Sequence, residues 1–263
     1  MKLLISDWST NPDHPDTPRA RLEKNPQLRL ETLCFSDGAA LDAGQEAVDG
    51  FKARFGSTLD RGLSVHGPYV DLCPSSCDRA VRQVAWNRFH AAWEIAGSLG
   101  AESIVFHSDW KPAPYGFGNW IENAAAFWRA FLAEHPGLRI YVENVYDADW
   151  KPLAELADSV PGLGLCLDVG HAHVHSRIPM EDWIIGLSDR IGHLHFHNNN
   201  GKSDDHHGFF HVPEGGMDMK SIFRLAEERL PDADAVLEIP WPDELGETLT
   251  WVLAEKSIFA GTL

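Results

Sequence analysis

The sequence predicts an α/β fold, a single (β/α)8 TIM barrel, from two observations. Short apolar segments alternate with amphipathic helical segments along the whole chain, which is the order of successive βα units. Several of the short segments, such as SIVFH and AVLEI, are apolar at both odd and even positions, as expected for parallel strands covered on both faces. No linker rich in Gly, Ser or Pro interrupts the series, so we predict one domain over residues 1–263.

Eight strands are predicted, at Leu3–Ile5, Leu28–Phe35, Leu63–His66, Ser103–His107, Arg139–Val145, Gly164–Val169, Gly192–His197 and Ala235–Ile239. Four strong helical stripes lie between them, at Val81–Leu99, Ile121–Leu132, Leu153–Val160 and Met219–Leu230, and Gly or Pro follows each, as at ordinary helix ends. The first unit is the weakest, because residues 9–26 are rich in Pro and charge and are expected to hold only a short helix. An open doubly wound sheet is the alternative, although no glycine-rich phosphate loop follows the first strand.

The composition limits the possible partners. The chain carries 22 Lys and Arg against 39 Asp and Glu, a formal net charge of −17, which argues against nucleic-acid binding and favours a small-molecule substrate. The four cysteines are too few for a disulfide scaffold, and the Cys73–Cys77 pair lacks the second pair of a zinc ribbon. No apolar run is long enough for a signal-peptide core or a membrane span. We therefore expect a cytoplasmic protein with no membrane partner; a homo-oligomer is left open.

Polar side chains that can bind metals fall at the ends of the predicted strands, namely His66, His107, Glu143, Asp168, His171, His195 and Glu238. In a barrel these carboxyl ends meet at one mouth. A single histidine there has an ordinary explanation as a satisfied core residue. Three buried carboxylates without a cation would cost several kcal/mol each, and no Lys or Arg lies in these strand ends. The pattern therefore predicts a divalent metal site of one to three ions, and mixed imidazole and carboxylate ligands favour Zn, Mn, Fe or Co.

The polar segment after the seventh strand, NNNGKSDDHHGFFHVPEGGMD, offers a further ligand pair of the form Asp-x-His. Asp204 with His206 and Asp205 with His207 both satisfy this spacing, and the sequence does not choose between them. Within the seventh strand, His193 and His197 share the parity of His195, so one of them is expected to support a ligand from behind.

Aromatic residues also follow strand ends, with Trp8 after the first strand, Trp110 after the fourth and Trp241 after the eighth. Indole rings at a barrel mouth can stack on sugar faces, although such rings also close cores. Together with Lys111, a cation near the mouth, these residues are the predicted substrate contacts.

The motifs VHGPY, IVFH, YVENV, LDVGHA, HLHFHNN with the following DDHH, PEGGMD and LEI resemble the xylose-isomerase-like TIM-barrel superfamily, over about residues 60–240. That superfamily includes sugar isomerases and epimerases and the endonuclease-IV-type AP endonucleases. The resemblance implies that Glu143, Asp168, His195 and Glu238 bind a metal, and that the two glutamates exchange a substrate proton as acid and base. It further implies that His66, His107, His171 and the Asp-x-His pair match the additional metal ligands of the endonuclease branch.

The sequence departs from both branches. Asn198 stands where the endonuclease branch has Asp, and Asn198 and Gly201 follow His195 where ketose 3-epimerases often carry Glu and Arg. With the acidic composition, the leading hypothesis is a metal-dependent sugar isomerase or epimerase that moves a proton on a small polyhydroxy carbonyl substrate, with Glu143 and Glu238 as catalytic residues. The alternatives are a multinuclear metal phosphodiesterase or hydrolase, and a barrel that binds a metal or ligand without catalysis.

Overall fold

A computed structural model describes residues 1–111 and 119–260. Its eight strands form one closed parallel barrel in chain order, with β8 paired to β1. The strands are β1 Lys2–Ser6, β2 Arg29–Thr32, β3 Leu63–His66, β4 Ser103–His107, β5 Arg139–Glu143, β6 Gly164–Asp168, β7 Ile191–Phe196 and β8 Asp234–Leu237. The predicted (β/α)8 barrel is confirmed, and the open doubly wound alternative is wrong because a closed sheet has no edge strands.

Several strands end before their predicted last residues, and β5 shows why. It ends at Glu143 instead of Val145, because the side chain of Asn144 turns to the neighbouring strand. Its Oδ1 accepts from the amide of Asp168 at 2.8 Å and its Nδ2 donates to the carbonyl of Asp168 at 2.9 Å. These two side-chain hydrogen bonds stand where backbone hydrogen bonds between β5 and β6 would otherwise continue, and they hold the ends of the two strands together.

The helices are α1 Pro18–Lys24, α2 Gly38–Ala43, α3 Gln45–Phe55, α4 Arg79–Leu99, α5 Trp120–Glu134, α6 Lys151–Ser159, α7 Val169–His175, α8 Met180–Leu187, α9 Met219–Arg229 and α10 Pro242–Ala260, with a 3-10 helix at Gly56–Arg61. All four predicted stripes are helical. The short helix expected in the first unit is α1, which begins with Pro18 and is capped by Thr17. None of the helices in the described residues combines the length and apolar character needed to cross a membrane.

The core lies mainly between the barrel and its outer helices. Phe89 of α4 stacks on Phe106 of β4 with ring centroids 4.1 Å apart, and Trp128 and Phe131 of α5 pack beside them. Val81, which begins the predicted apolar stripe of α4, is 38% exposed because it lies in the first turn, ahead of the residues that reach the barrel. A smaller cluster of Val105, Tyr141 and Cys166 fills the barrel interior. Apolar packing therefore leaves the carboxyl ends of the strands to polar residues.

Candidate metal centre

Nine polar side chains meet at the carboxyl ends of the strands. They are His66, His107, Glu143, Asp168, His171, His195, Asp204, His206 and Glu238. Five of them end or nearly end a strand, His171 lies in the first turn of α7, Glu238 follows β8, and the other two lie in the loop between β7 and α9. Seven of the nine are buried; His107 is half-buried and the side chain of Asp204 is 36% exposed. All nine predicted metal ligands are thus brought together, and their contacts divide them into three groups.

The first group is formed by His66, His107 and one oxygen of Glu143. Glu143 Oε2 lies 3.4 Å from Nε2 of His66 and 3.4 Å from Nε2 of His107. The other ring nitrogen of His66, Nδ1, lies 2.9 Å from the carbonyl oxygen of Gly67 and donates to it. Because that hydrogen bond places the ring proton on Nδ1, Nε2 of His66 presents its lone pair to the interior of the centre.

The second group surrounds Nδ1 of His195. This atom lies 3.4 Å from Glu143 Oε1, 3.7 Å from Asp168 Oδ2 and 3.3 Å from Glu238 Oε2. Glu143 is therefore shared, because its two oxygens face different groups. Asp168 is held in place as the N-cap of α7, where its Oδ1 accepts from the amide of His171 at 2.6 Å.

The third group joins α7 to the loop after β7. Asp204 Oδ2 lies 3.1 Å from Nε2 of His171 and 3.1 Å from Nε2 of His206. The Nδ1 atoms of the two histidines donate to backbone carbonyls, of Asn144 at 2.9 Å and of Glu238 at 3.1 Å. Of the two Asp-x-His spacings, the structure places Asp204 and His206 in the centre. Asp205 is exposed, and His207 Nδ1 lies 3.2 Å from Glu244 Oε2 instead.

This donor set fits divalent transition metals. Both oxygens of Glu143 and Nδ1 of His195 are buried and have no hydrogen-bond partner among the described residues. Neighbouring donor atoms in the three groups are 3.1–3.7 Å apart, close to the separation of about 3.4 Å between ligands that lie about 2.1 Å from a tetrahedral zinc ion. Imidazole and carboxylate are ligands that Zn, Mn, Fe and Co accept.

The pKa values of the centre show which of its groups are charged. Burial raises the pKa of Asp168, but the neighbouring His171 and His197 outweigh burial and hold this pKa at about 2. Burial lowers the pKa of His206, yet the hydrogen bond to Asp204 and the charges of the surrounding carboxylates together outweigh burial and raise it to about 9. At His107 burial prevails and lowers the pKa to about 3. The centre therefore holds Asp168 in its charged form and His107 neutral, while it draws a proton onto His206, and a metal ion bound there would have to displace that proton.

Three supporting residues were missed or left open by sequence reasoning. Glu31 at the end of β2 accepts from Nε2 of His193 at 2.8 Å and lies 2.9 Å from Nε2 of His195. His197 Nε2 lies 3.1 Å from Asp168 Oδ1, and its ring stacks on His206 at 3.6 Å. Like Glu143, Glu31 is a carboxylate within an apolar strand, and this pattern could have identified it. The predicted strand Leu28–Phe35 placed Glu31 in the middle of a strand instead of near its end, so it was not selected.

The position of the His197 ring also explains why residue 170, in the first turn of α7, is a glycine. A Cβ atom at Gly170 would lie 1.9 Å from Cε1 of His197. Any larger residue at this position would displace the imidazole that contacts Asp168.

A cavity of about 270 Å³ opens over the centre. Trp8, Leu33, Tyr69 and Tyr146 form its wall, and seven of the nine predicted ligands line it, all except Asp168 and His195. Tyr69 and Tyr146 were not singled out by the sequence.

Two of the predicted substrate contacts lie next to this cavity instead of in it. Trp110 and Lys111 line an adjoining cavity of about 340 Å³ that shares Tyr69, His107 and Tyr146 with the first. Trp241 lines neither cavity; its ring stacks on His207 at 5.8 Å and its Nε1 donates to the carbonyl of Asp205. Of the four predicted contacts, only Trp8 borders the space directly over the centre.

Comparison with known proteins follows this geometry. A family model described as "Xylose isomerase-like TIM barrel" matches residues 30–255. The chain belongs to this family. The superfamily resemblance read from the motifs is confirmed, and it extends over more of the chain than residues 60–240.

Solved structures similar to this family member include both branches. A D-tagatose 3-epimerase-like protein superposes with a TM-score of 0.75 at 18% identity, covering 100% of this chain and 99% of that one. The TTHB071 protein from Thermus thermophilus, soaked with ZnCl2, gives 0.72 at 24% identity, covering 97% of both chains. Endonuclease IV from the same organism gives 0.65 at 18% identity, covering 97% and 98%. At these identities the likeness shows the fold.

Two curated relatives come from Methanocaldococcus jannaschii. The uncharacterized protein MJ1614 is 27% identical over 155 residues, 57% of this chain and 61% of the relative. The uncharacterized protein MJ1311 is 26% identical over 180 residues, 63% of this chain and 60% of the relative. The matched region thus spans about three fifths of each relative's length.

Proposed function

We propose that this protein is a divalent-metal-dependent hydrolase that cleaves small phosphoesters at a multinuclear centre. The observation that carries the proposal is the position of Glu143, whose Oε2 faces His66 and His107 while its Oε1 faces His195. A carboxylate placed between two groups of donors is suited to bridging two ions. The group of His171, Asp204 and His206 offers a third position, so the nine predicted ligands exceed what one ion of four to six ligands can use.

The charge of the centre depends on how many ions it holds. Its four carboxylates, Glu143, Asp168, Asp204 and Glu238, carry −4 with the histidines neutral. One divalent ion would leave the centre at −2, which repels an anionic substrate, whereas three would bring it to +2. A multinuclear centre therefore favours an anion such as a phosphoester, even in a chain with a net charge of −17.

Bound ions would supply Lewis-acid activation of water and of the phosphoryl group. The residues of the chain provide the arrangement around them. Backbone carbonyls hold His66, His171 and His206 so that one nitrogen of each ring faces inward. Trp8, Tyr69 and Tyr146 form the wall of the cavity and would offer aromatic faces to a substrate.

The two adjoining cavities fit a small substrate that has a phosphoester group at one end and a second part at the other. We propose that the phosphoester group lies over the centre against Trp8, and that the remainder enters the adjoining cavity beside Trp110 and Lys111. Trp241 lies between β8 and α10, outside both cavities and against the β7–α9 loop, so it would contact only a substrate that extends beyond the cavities. No other Lys or Arg lines either cavity among the described residues, so Lys111→Gln should weaken binding of an anionic substrate. Lys202→Gln, at an exposed loop position, is the matched control.

A sugar isomerase or epimerase is the second candidate, and one observation favours it. Glu143 at the end of β5 and Glu238 just after β8 line the same cavity, and both lie within 3.4 Å of His195 Nδ1. Two carboxylates around one position can pass a proton between neighbouring carbons of a polyhydroxy carbonyl substrate. It ranks second because the two oxygens of Glu143 face separate groups of imidazole nitrogens, an arrangement that an isomerase with a single ion would not need.

Metal analysis followed by two assays tests the proposal. We expect two or three Zn, Mn, Fe or Co ions per chain in protein purified without chelator. We also expect hydrolysis of bis(4-nitrophenyl) phosphate or 4-nitrophenyl phosphate that is lost with EDTA and restored by added metal. A single ion, together with deuterium uptake from deuterated water into a ketose, would establish the isomerase instead. Bound metal with neither activity would favour a barrel that binds ligands without catalysis.

A further inference from the structure

Glu31 is a buried acid that joins two histidines across the barrel interior. Its Oε1 lies 2.9 Å from His195 Nε2 and its Oε2 lies 2.8 Å from His193 Nε2, and the side chains of all three residues are fully buried. Glu31 belongs to β2 and the histidines to β7, and β1 and β8 separate these strands in the barrel. The contacts therefore cross the interior and are not between adjacent strands.

The chemistry of these contacts fixes which nitrogen of His195 faces the centre. An ionised carboxylate only accepts hydrogen bonds, so His193 donates its Nε2 proton to Oε2 of Glu31. His195 Nε2 faces Oε1 at 2.9 Å without hydrogen-bond geometry, and a lone pair on Nε2 would repel the negative charge at this distance, so the ring proton of His195 is favoured on Nε2. A neutral His195 then carries no proton on Nδ1. This is the nitrogen that faces Glu143, Asp168 and Glu238.

We propose that Glu31 is a positioning residue that sets the tautomer and the ring orientation of His195, so that Nδ1 serves the second group as a metal ligand. This role rests on the metal centre of the proposed function. Histidine ligands commonly donate their second N–H to a carboxylate, which fixes the ring and strengthens the ligand nitrogen. His193 occupies the other oxygen and keeps the carboxylate from rotating away from His195.

A competing explanation is that Glu31, His193 and His195 themselves bind an ion, because their donor atoms lie within 4.8 Å of one another. The separations of 2.8 and 2.9 Å argue against this explanation. They are hydrogen-bond distances, and they are shorter than the spacing of about 3.4 Å expected for two ligands of a tetrahedral ion. The geometry points to a direct hydrogen bond from His193 and a close electrostatic contact with His195.

The experiment measures metal binding by the full chain, independently of any activity. Metal-free wild type, Glu31→Leu, Glu31→Gln and His193→Gln would be titrated with Co²⁺, whose visible absorption reports the ligands, and with Zn²⁺ against a chelator. Glu31→Leu removes the acceptor and should weaken one ion about 10- to 100-fold, with the other ions unchanged. Glu31→Gln keeps an amide oxygen for His195 and should show a smaller loss, and His193→Gln should keep the full number of ions.

Each other result overturns the role. Glu31→Leu with wild-type affinities and Co²⁺ spectrum would show that His195 needs no positioning. Equal weakening of all ions together with a lower melting temperature of the metal-free protein would show a structural role only. Loss of a whole ion in His193→Gln would show that the three residues are ligands. A wild type that binds no ion would overturn this role and the proposed function together, whereas bound ions without hydrolysis would overturn only the latter.

Discussion

The strand side and the loop side of the candidate metal centre hold their side chains in different ways. The strand side consists of residues within the barrel strands, His66, His107, Glu143, Asp168 and His195, and the loop side consists of Asp204 and His206 between β7 and α9. On the strand side the sheet ladder itself sets the backbone; for example, Asp168 pairs with His195 and His107 with Glu143. Four of these five side chains are buried, the exception being the half-buried His107.

The loop side depends on individual tethers. His206 has a φ of 50°, in the left-handed region that non-glycine residues rarely adopt. Its ring is held by the carbonyl of Glu238 and by stacking on His197, and an isolated bridge between Asn198 and His207 anchors the loop. Asp204 remains 36% exposed. Backbone pairing between strands thus fixes the residues on the strand side. The residues on the loop side are held by individual contacts instead.

The largest effect is expected at the ligand shared between groups on the strand side. Glu143→Gln removes the charge that both groups use, so kcat/KM for the phosphoester should fall about 10³-fold or more and the bound metal should fall by at least one ion. Elemental analysis and the nitrophenyl phosphate assay measure both. Glu181→Gln, at an exposed position of α8, is the control. Unchanged metal content and activity in Glu143→Gln would remove the basis of the proposed function.

A smaller and more selective loss is expected on the loop side. Asp204→Asn should remove the ion of the third group and leave the others, with activity lower by about 10²-fold. The melting temperature of the metal-free protein should change little, because the side chain is partly exposed on a loop. Asp205→Asn is the neighbouring control and should match wild type. If Asp204→Asn lost all ions at once, the two sides would form a single site.

Asp147 is a buried carboxyl outside the centre, and it shows what burial does to a carboxyl pKa when no histidine of the centre contacts the group. Asp147 accepts from the amide of Val145 and has no partner at its Oδ1 among the described residues, and burial raises its pKa from 3.8 to about 7. The folded protein therefore binds an extra proton between these values, so its stability falls as pH rises from about 4 through 7.

Asp147→Asn should lack this pH dependence. We expect the variant to exceed wild type in free energy of unfolding by about 1–2 kcal/mol at pH 8 and to match it more closely at pH 5. Urea denaturation at both pH values measures the difference, with Asp149→Asn as the control on the same loop. A wild type whose stability is flat from pH 5 to 8 would contradict the burial argument.

The smallest effect is expected at the position next to the loop ligand. His207→Gln should leave the metal content unchanged and cost about 0.5–1 kcal/mol of stability, because it loses a hydrogen bond with Glu244 and the ring contact with Trp241. His206→Gln, one residue earlier, should lose the ion of the third group. Zinc titration of the two variants side by side measures the contrast. The reverse pattern would move the loop ligands to Asp205 and His207.

The barrel and the set of residues at its mouth could be predicted from the sequence alone. Apolar strands alternating with helices predict a parallel sheet, the number of such units favours a closed barrel over an open sheet, and the carboxyl ends of parallel strands face one edge. His66, His107, Glu143 and His195 therefore had to approach one another wherever the strands began. The carboxylates among them predict a metal site at this edge, because burial of charge without a cation is costly.

Only the tertiary structure decided how these residues are grouped. The division into three groups depends on separations of 3.1–3.7 Å, and the choice of Asp204 and His206 depends on tethers from Glu238 and His197. Neither is encoded in spacing along the chain. The contact of Glu31 with His193 joins positions 162 residues apart. Such contacts arise from packing across the closed barrel, where a shift of a few tenths of an ångström changes which atoms meet, and periodicity along a strand carries no information at that scale.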